Sequence, residues 1–192
     1  DYLQDRFDGD SWRVFPVAQY LAHDQVVFVH HNLGQFVTRP EVLSWTLGLG
    51  YGLSYRLRAI DLDLTTKREW LGWLDRLQKS VCARYLGQGV AEFEHQRDTN
   101  SANASAGLLR STYGPVRILA NLDPVEREVN GRSLPPYGFV AEAPGLLAAS
   151  VGIGAGSFTN GPGFVTETGT GETRFWARAP AEVQLPLELP EA

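Results

Sequence analysis

Polar side chains that could do chemistry follow two short apolar runs in the first third of the chain. The run Val26–Val29 ends at His30-His31-Asn32, and the run Leu53–Tyr55 ends at Arg56. Two apolar runs that are separated by a helix and end in polar tips are typical of a βαβ unit. Function gathers at the carboxyl ends of such strands. The first candidate site residues are therefore His30, His31, Asn32, Tyr55 and Arg56.

Two carboxylates near the start of the chain form a second candidate group. Asp8 and Asp10 lie in the stretch Asp-Gly-Asp-Ser, which is also the sequence of a plain turn. No metal site is predicted from the four histidines, His23, His30, His31 and His95. Adjacent histidines on a strand point to opposite faces, and neither cysteine nor ligand-spaced carboxylate accompanies them.

Helices must position these tips, and their start signals are clear. Thr38–Glu41 and Thr66–Glu69 both match the capping box, and Pro16 precedes a short predicted helix over 17–21. The second box opens the strongest helix, which ends at Gly87 and Gly89. Its apolar stripe repeats at helical spacing and consists of Trp70, Leu74, Leu77, Val81 and Tyr85.

From Val90 onward the pattern changes to short strands separated by turn residues. This spacing is typical of an all-β sandwich. Asn130-Gly131 is the strongest hairpin signal, since this pair accepts positive φ angles. The predicted strands are Val90–His95, Leu108–Tyr113, Val116–Asn121, Phe139–Glu142, Leu146–Ile153, Phe164–Glu167, Thr173–Arg178 and Val183–Leu187.

The fold class predicted from these patterns is α/β plus all-β. Residues 1–88 would form the last two βα units of a TIM-type barrel, and residues 89–192 an antiparallel β-sandwich domain. Two βα units cannot close a barrel, so the missing strands would lie upstream or the units would pack on the β domain. The chain starts at Asp1 and contains no methionine, which favours a piece of a longer polypeptide.

Composition excludes some classes of partner. The 192 residues are 43% hydrophobic and 20% charged, as in ordinary soluble globular proteins. A net charge of −5 without a basic run argues against nucleic acid. No apolar segment reaches the roughly 20 residues of a membrane helix. Cys82 is the single cysteine, so no internal disulfide forms. Cysteine usage therefore does not indicate the cellular compartment of the protein.

Three strings carry a resemblance to a known type of protein: WRVFPVAQYLAHDQVVFVHHNLGQF, GYGLSY and RILANLDPVEREVNGRSLPPYGFVA. Together they resemble the C-terminal part of a glycoside hydrolase, in which a (β/α)8 barrel is followed by a β-sandwich. The resemblance covers residues 10 to 150 and identifies no particular family.

The resemblance implies hydrolysis of a glycosidic bond by two carboxyl groups. In a barrel these lie at the ends of middle strands, so the catalytic pair would lie upstream and the catalytic residues of this chain are unknown. His31, Asn32, Tyr55 and Arg56 would contact the sugar. The implied partners are a carbohydrate substrate and the upstream portion of the same polypeptide, with no cofactor. By itself the chain would be catalytically silent.

Two alternatives stay open at this point. A non-enzymatic carbohydrate-binding or adhesive module would expose an aromatic platform, with Phe158, Phe164, Phe175 or Trp176 as candidates. A small α+β interaction protein would pack the 26–56 unit directly on the sandwich and leave no unfilled edge at the Val26 strand.

Overall fold

The computed structural model describes residues 17–29, 40–53, 65–97, 106–129, 132–150, 152–154, 157–159 and 163–177. Helices α1 (Val17–Ala22), α2 (Pro40–Gly48) and α3 (Thr65–Leu77) come first, and α3 runs on through a π-helical turn (Gln78–Cys82) into α4 (Ala83–Tyr85). The strands follow as β1 (Val90–Arg97), β2 (Gly107–Tyr113), β3 (Val116–Asn121), β4 (Arg127–Val129), β5 (Arg132–Leu134), β6 (Phe139–Ala143), β7 (Leu146–Ala149), β8 (Gly152–Gly154), β9 (Ser157–Thr159), β10 (Phe164–Gly169) and β11 (Glu172–Ala177).

One seven-stranded sheet organises the described residues. Its strand order is β1-β2-β3-β6-β7-β10-β11, and every neighbouring pair is antiparallel. The β4–β5 and β8–β9 hairpins are pairs of their own, inserted between neighbouring strands of the sheet. The strands of the sheet therefore follow one another in sequence order and are interrupted by the two inserted hairpins.

The predicted fold class, the end of a TIM-type barrel followed by a β-sandwich, is wrong. The described residues form helices on an antiparallel sheet, and their parallel pairing is limited to an isolated bridge between Val29 and Gly52. Val26, Val27 and Val29 are each about half exposed, whereas a parallel strand would be buried on both faces. The apolar run at 26–29 was thus misread as a buried strand, because so short a run carries no period of its own.

The apolar stripe predicted for the long helix is confirmed. Leu77, Val81 and Tyr85 have no exposed surface, and Trp73 beside them is also buried. These side chains pack on one face of the sheet, against residues such as Phe139. Residues on both sides of residue 88 therefore share one hydrophobic core.

Helix α2 lies close against the same face of the sheet. A Cβ atom added to Gly48 would collide with Cδ2 of Leu109, so a larger residue there would require Leu109 to move. The Tyr113 hydroxyl donates to the Gly48 carbonyl at 2.9 Å. The end of α2 is thereby fixed to β2.

Six of the eight predicted strands are confirmed. β3 has its predicted bounds, and β1, β2, β6, β10 and β11 agree to within two residues. The predicted run 146–153 divides into β7 and β8, while 183–187 lies outside the described residues. Val129 pairs with Arg132 across Asn130-Gly131, which confirms the predicted hairpin. None of the described helices is long and apolar enough to span a membrane.

Candidate functional site

The site residues predicted from the sequence all lie outside the described residues. These are Asp8, Asp10, His30, His31, Asn32, Tyr55 and Arg56, and their roles stay predictions. The described residues nearest to the two tips are Val29 and Leu53. Val29 forms the parallel bridge with Gly52, whose amide donates to the Phe28 carbonyl at 2.7 Å.

A groove of about 430 Å³ lies on the face of the sheet opposite the described helices. Its apolar part is formed by Leu119 and Val140 of the sheet and by Val129 and Leu134 of the β4–β5 hairpin. Its polar part includes Glu92, Arg110, Thr112, Arg117 and Glu142. Apolar side chains surrounded by a few convergent polar groups are the usual composition of a small-ligand site.

Strand register brings the polar residues of the groove together. Arg117 pairs with Thr112 on one side and with Glu142 on the other. Leu119 lies between Arg110 and Val140 in the same way. Because alternate residues of a strand share a face, Arg117 and Leu119 project into the same groove.

Glu92 and Arg110 each contact a side chain on the neighbouring strand. The Thr112 hydroxyl donates to Glu92 Oε2 at 3.2 Å. Nη1 of Arg110 lies 3.8 Å from Oε2 of Glu94, beyond hydrogen-bonding distance. Arg117 is exposed. The Arg117 guanidinium therefore retains donors for a ligand.

The β4–β5 hairpin forms one wall of the groove because its apolar side chains pack on the sheet. Val129 and Leu134 are buried against Val140 and Phe164 in a second, smaller core cluster. This cluster lies on the face of the sheet opposite the main core. The hairpin is thus anchored to the sheet at the edge of the groove.

A buried asparagine fixes the corner from which the hairpin departs. Nδ2 of Asn121 lies 2.8 Å from the carbonyl oxygens of Val125 and Pro135 and 3.2 Å from that of Leu134. Its Oδ1 accepts a hydrogen bond from the Asp123 amide at 3.0 Å. One side chain therefore satisfies backbone groups at both ends of the hairpin, which buried polar atoms require.

An ion pair and a strained residue complete this corner. The buried Asp123 carboxylate accepts from Nε of Arg127 at 2.6 Å, and the Asp123 carbonyl accepts from the Tyr137 amide at 3.1 Å. Tyr137 has a left-handed backbone with φ of 55°, and its carbonyl accepts from the Ser44 hydroxyl at 2.6 Å. Burial, followed by the charges of Glu41 and Asp123, raises the pKa of Tyr137.

The aromatic platform expected of an adhesive module is not formed by the described candidates. Phe164 is buried, and Trp176 is half-buried and stacks on Trp73 with ring centroids 5.4 Å apart. Phe175 is 42% exposed. The side chain of Phe158 lies outside the described residues. A single exposed ring does not make a platform.

Sequence reasoning missed the polar residues of the groove, although a signal was present. Arg110 and Thr112 alternate with buried Leu109, Ser111 and Tyr113 along β2, which is a period of two. That period places Arg110 and Thr112 on one face. The sequence of β2 alone does not reveal which strands lie beside it and complete the groove.

Within the described ranges, no group of three or more His, Cys, Asp and Glu residues is placed to hold a metal ion. A scan against protein-family models, a search of curated proteins and a search of solved structures found no match to this chain.

Proposed function

We propose that this chain binds carbohydrate in the groove and serves a carbohydrate-active polypeptide as a non-catalytic β portion. The observation that carries the proposal is the composition of the groove, in which Leu119 and Val140 lie among the polar groups of Arg110, Arg117 and Glu142. A sugar presents C–H faces between directional hydroxyls. The apolar side chains of the groove match the C–H faces of the sugar. The guanidinium and carboxylate groups match its hydroxyls.

The position of the groove wall supports the carbohydrate class. The segment RILANLDPVEREVNGRSLPPYGFVA, which resembles part of glycoside hydrolases, occupies residues 117–141. This segment builds β3, the Asn121 corner, the β4–β5 hairpin and the start of β6. The resemblance and the groove therefore coincide in one part of the chain.

The strongly buried titratable groups lie in the core and not in the groove. Burial raises the pKa of the Cys82 thiol to about 12, and it also raises the pKa values of Tyr85 and Tyr113. A general acid or base needs a pKa near the working pH. These groups stay neutral at neutral pH and belong to the core.

A glycan array followed by titration calorimetry on the best ligand tests the proposal. Arg117→Ala removes a rim guanidinium and should weaken binding by about tenfold, the value of one charge-assisted hydrogen bond. The matched control is Arg174→Ala, which removes an exposed arginine from the edge strand β11. This control should bind as the parent does.

Three results would overturn the proposal. The parent chain could bind no glycan, or Arg117→Ala could bind as tightly as Arg174→Ala. Release of reducing sugar from the bound glycan by the parent chain would contradict the non-catalytic role. Circular dichroism of each variant establishes that the comparison is made between folded proteins.

A further inference from the structure

Four polar residues of the groove form one row that crosses neighbouring strands of the sheet. Thr112 of β2 pairs with Glu92 of β1 on one side and with Arg117 of β3 on the other. Arg117 in turn pairs with Glu142 of β6. Because neighbouring strands lie about 4.8 Å apart, the row extends over about 14 Å from β1 to β6. A ligand that contacts the whole row is therefore longer than one sugar ring.

A second row lies beside the first, two residues away on each strand, and is apolar at its centre. Leu119 of β3 pairs with Arg110 of β2 and with Val140 of β6. Residues two apart on a strand share a face, so both rows line the same side of the sheet. Val129 and Leu134 of the β4–β5 hairpin continue the apolar lining. A ligand laid across the strands therefore meets polar groups along one side and apolar groups along the other.

Hydrogen-bond donors and acceptors alternate along the polar row. A guanidinium only donates and a carboxylate only accepts, so Arg117 and Glu142 are a donor and an acceptor on adjacent strands. A sugar hydroxyl does both, and neighbouring hydroxyls can bond to Arg117 and Glu142 at the same time. A carboxylate on the ligand only accepts. It would bond to Arg117 but lie beside the like charge of Glu142.

The charges that line the groove also cancel. Among the described residues of the lining, Arg110 and Arg117 are matched by Glu92 and Glu142. Glu94 adds a third carboxylate, with Oε2 at 3.8 Å from Nη1 of Arg110. An acidic sugar is favoured by a surplus of positive charge, which this lining does not have. Like charges brought together on binding act against the wrong partner.

We propose that the groove selects a neutral oligosaccharide laid across the strands, and that Glu92 and Glu142 select against acidic sugars. The hydroxyls lie along the polar row, and the C–H faces lie against Leu119 and Val140. This inference rests on the proposed binding of carbohydrate in the same groove. It adds the class of sugar, the need for more than one ring and the direction of the ligand.

A glycan array with three matched sets of ligands tests the inference on the parent chain. The sets are neutral hexoses, their short oligomers in each common linkage, and the same oligomers oxidised to the C6 carboxylate. Titration calorimetry should show that a neutral oligomer binds more tightly than its monosaccharide. It should also bind about tenfold more tightly than its carboxylate counterpart. The second difference should shrink in high salt, because salt screens exposed charges.

Glutamine variants identify the groups that select against acidic sugars. Glu142→Gln keeps the shape of the side chain and removes its charge, so the carboxylate oligomers should bind severalfold more tightly than they bind to the parent. Glu92→Gln makes the same change at an exposed position and should act in the same direction. The matched control is Glu172→Gln on the edge strand β11, which changes the net charge equally and should leave the ratio of the affinities unchanged.

The possible failures are distinguishable from one another. Equal or tighter binding of the carboxylate oligomers by the parent would overturn the selection for neutral sugars and leave carbohydrate binding intact. A monosaccharide that bound as tightly as its oligomer would overturn the placement across the strands. An unchanged affinity ratio in both Glu142→Gln and Glu92→Gln would contradict the role of the two carboxylates. If no glycan of any set bound, the proposed function itself would fail.

Discussion

Nδ2 of Asn121 lies 2.8 Å from the carbonyl oxygen of Pro135, although the β4–β5 hairpin separates the two residues in the chain. The same nitrogen also reaches the carbonyl of Val125 at the start of the excursion. One amide thus closes the base of the hairpin whose apolar residues form a wall of the groove. The position of that wall depends on this contact.

Asn121→Ala should lower the free energy of unfolding by about 1–3 kcal/mol, because it leaves buried carbonyl oxygens without a donor. Urea unfolding followed by fluorescence measures the change. The matched control is Gln96→Ala, which removes an exposed amide from β1. Equal stability of the two variants would show that the corner does not depend on the Asn121 side chain.

Two glycines should respond to alanine in opposite directions. A Cβ at Gly163 would lie 2.3 Å from Cζ2 of the buried Trp73, so Gly163→Ala should destabilise the protein by about 1–3 kcal/mol. Gly72 lies within α3 with open space around it, and Gly72→Ala should stabilise by up to about 1 kcal/mol. Thermal unfolding of both variants checks the signs. Stabilisation by Gly163→Ala would mean that Trp73 does not pack as described.

Local patterns in the sequence were sufficient to predict the helices and strands but not to predict how they are arranged. The stripe from Trp70 to Tyr85 and the strand segments follow from periods of 3.6 and 2, which neighbouring residues define. The βα interpretation failed because it rested on the apolar run at 26–29, whose valines are half exposed. Pairing of strands distant in the chain is decided by shared burial, which no local window contains.

Cys82 should be unreactive in the native protein. It is fully buried, and its thiol pKa of about 12 leaves almost no thiolate at neutral pH. Ellman's reagent should therefore modify Cys82 only after denaturation. Fast modification of the native chain would contradict the burial.

Stability at alkaline pH should depend on the same thiol. The unfolded chain releases the thiol proton near its ordinary pKa of 9.0, whereas the folded chain holds it until about 12. Because the unfolded state binds fewer protons in this window, the free energy of unfolding should fall as pH rises from about 9 to about 12. Cys82→Ala lacks this contribution and serves as the reference. If the free energy of unfolding depended on alkaline pH in the same way in the two proteins, the contribution of the Cys82 thiol would be contradicted.

Glu167 should join the long helix to the sheet through its ion pairs. Its Oε2 accepts from Nη2 of Arg76 at 2.7 Å, and both side chains are less than one-third exposed. Glu167→Gln should lower the free energy of unfolding by about 1 kcal/mol, with a smaller effect in high salt. Asp75→Asn breaks the exposed pair with Lys79 and should cost no more than about 0.5 kcal/mol. An equal effect of the two substitutions would argue against the Glu167 pair.

One part of the groove could be predicted from the sequence and another part could not. Arg110 and Thr112 are marked as one face by alternation within β2. The partnership of Arg117 with Glu142 requires β3 to lie beside β6, across an inserted hairpin. Neither this strand pairing nor the Asn121 corner leaves a periodic pattern in the local sequence, so neither could be predicted from it.

The inserted hairpins lie outside the hydrogen-bonded ladder of the seven-stranded sheet. The main ladder joins β3 directly to β6 and β7 directly to β10, so neither excursion contributes a rung to it. Lengthening the connection between β4 and β5 would therefore leave the strand pairs of the main sheet in place. The main sheet and the connection between β4 and β5 can thus vary in length independently of one another.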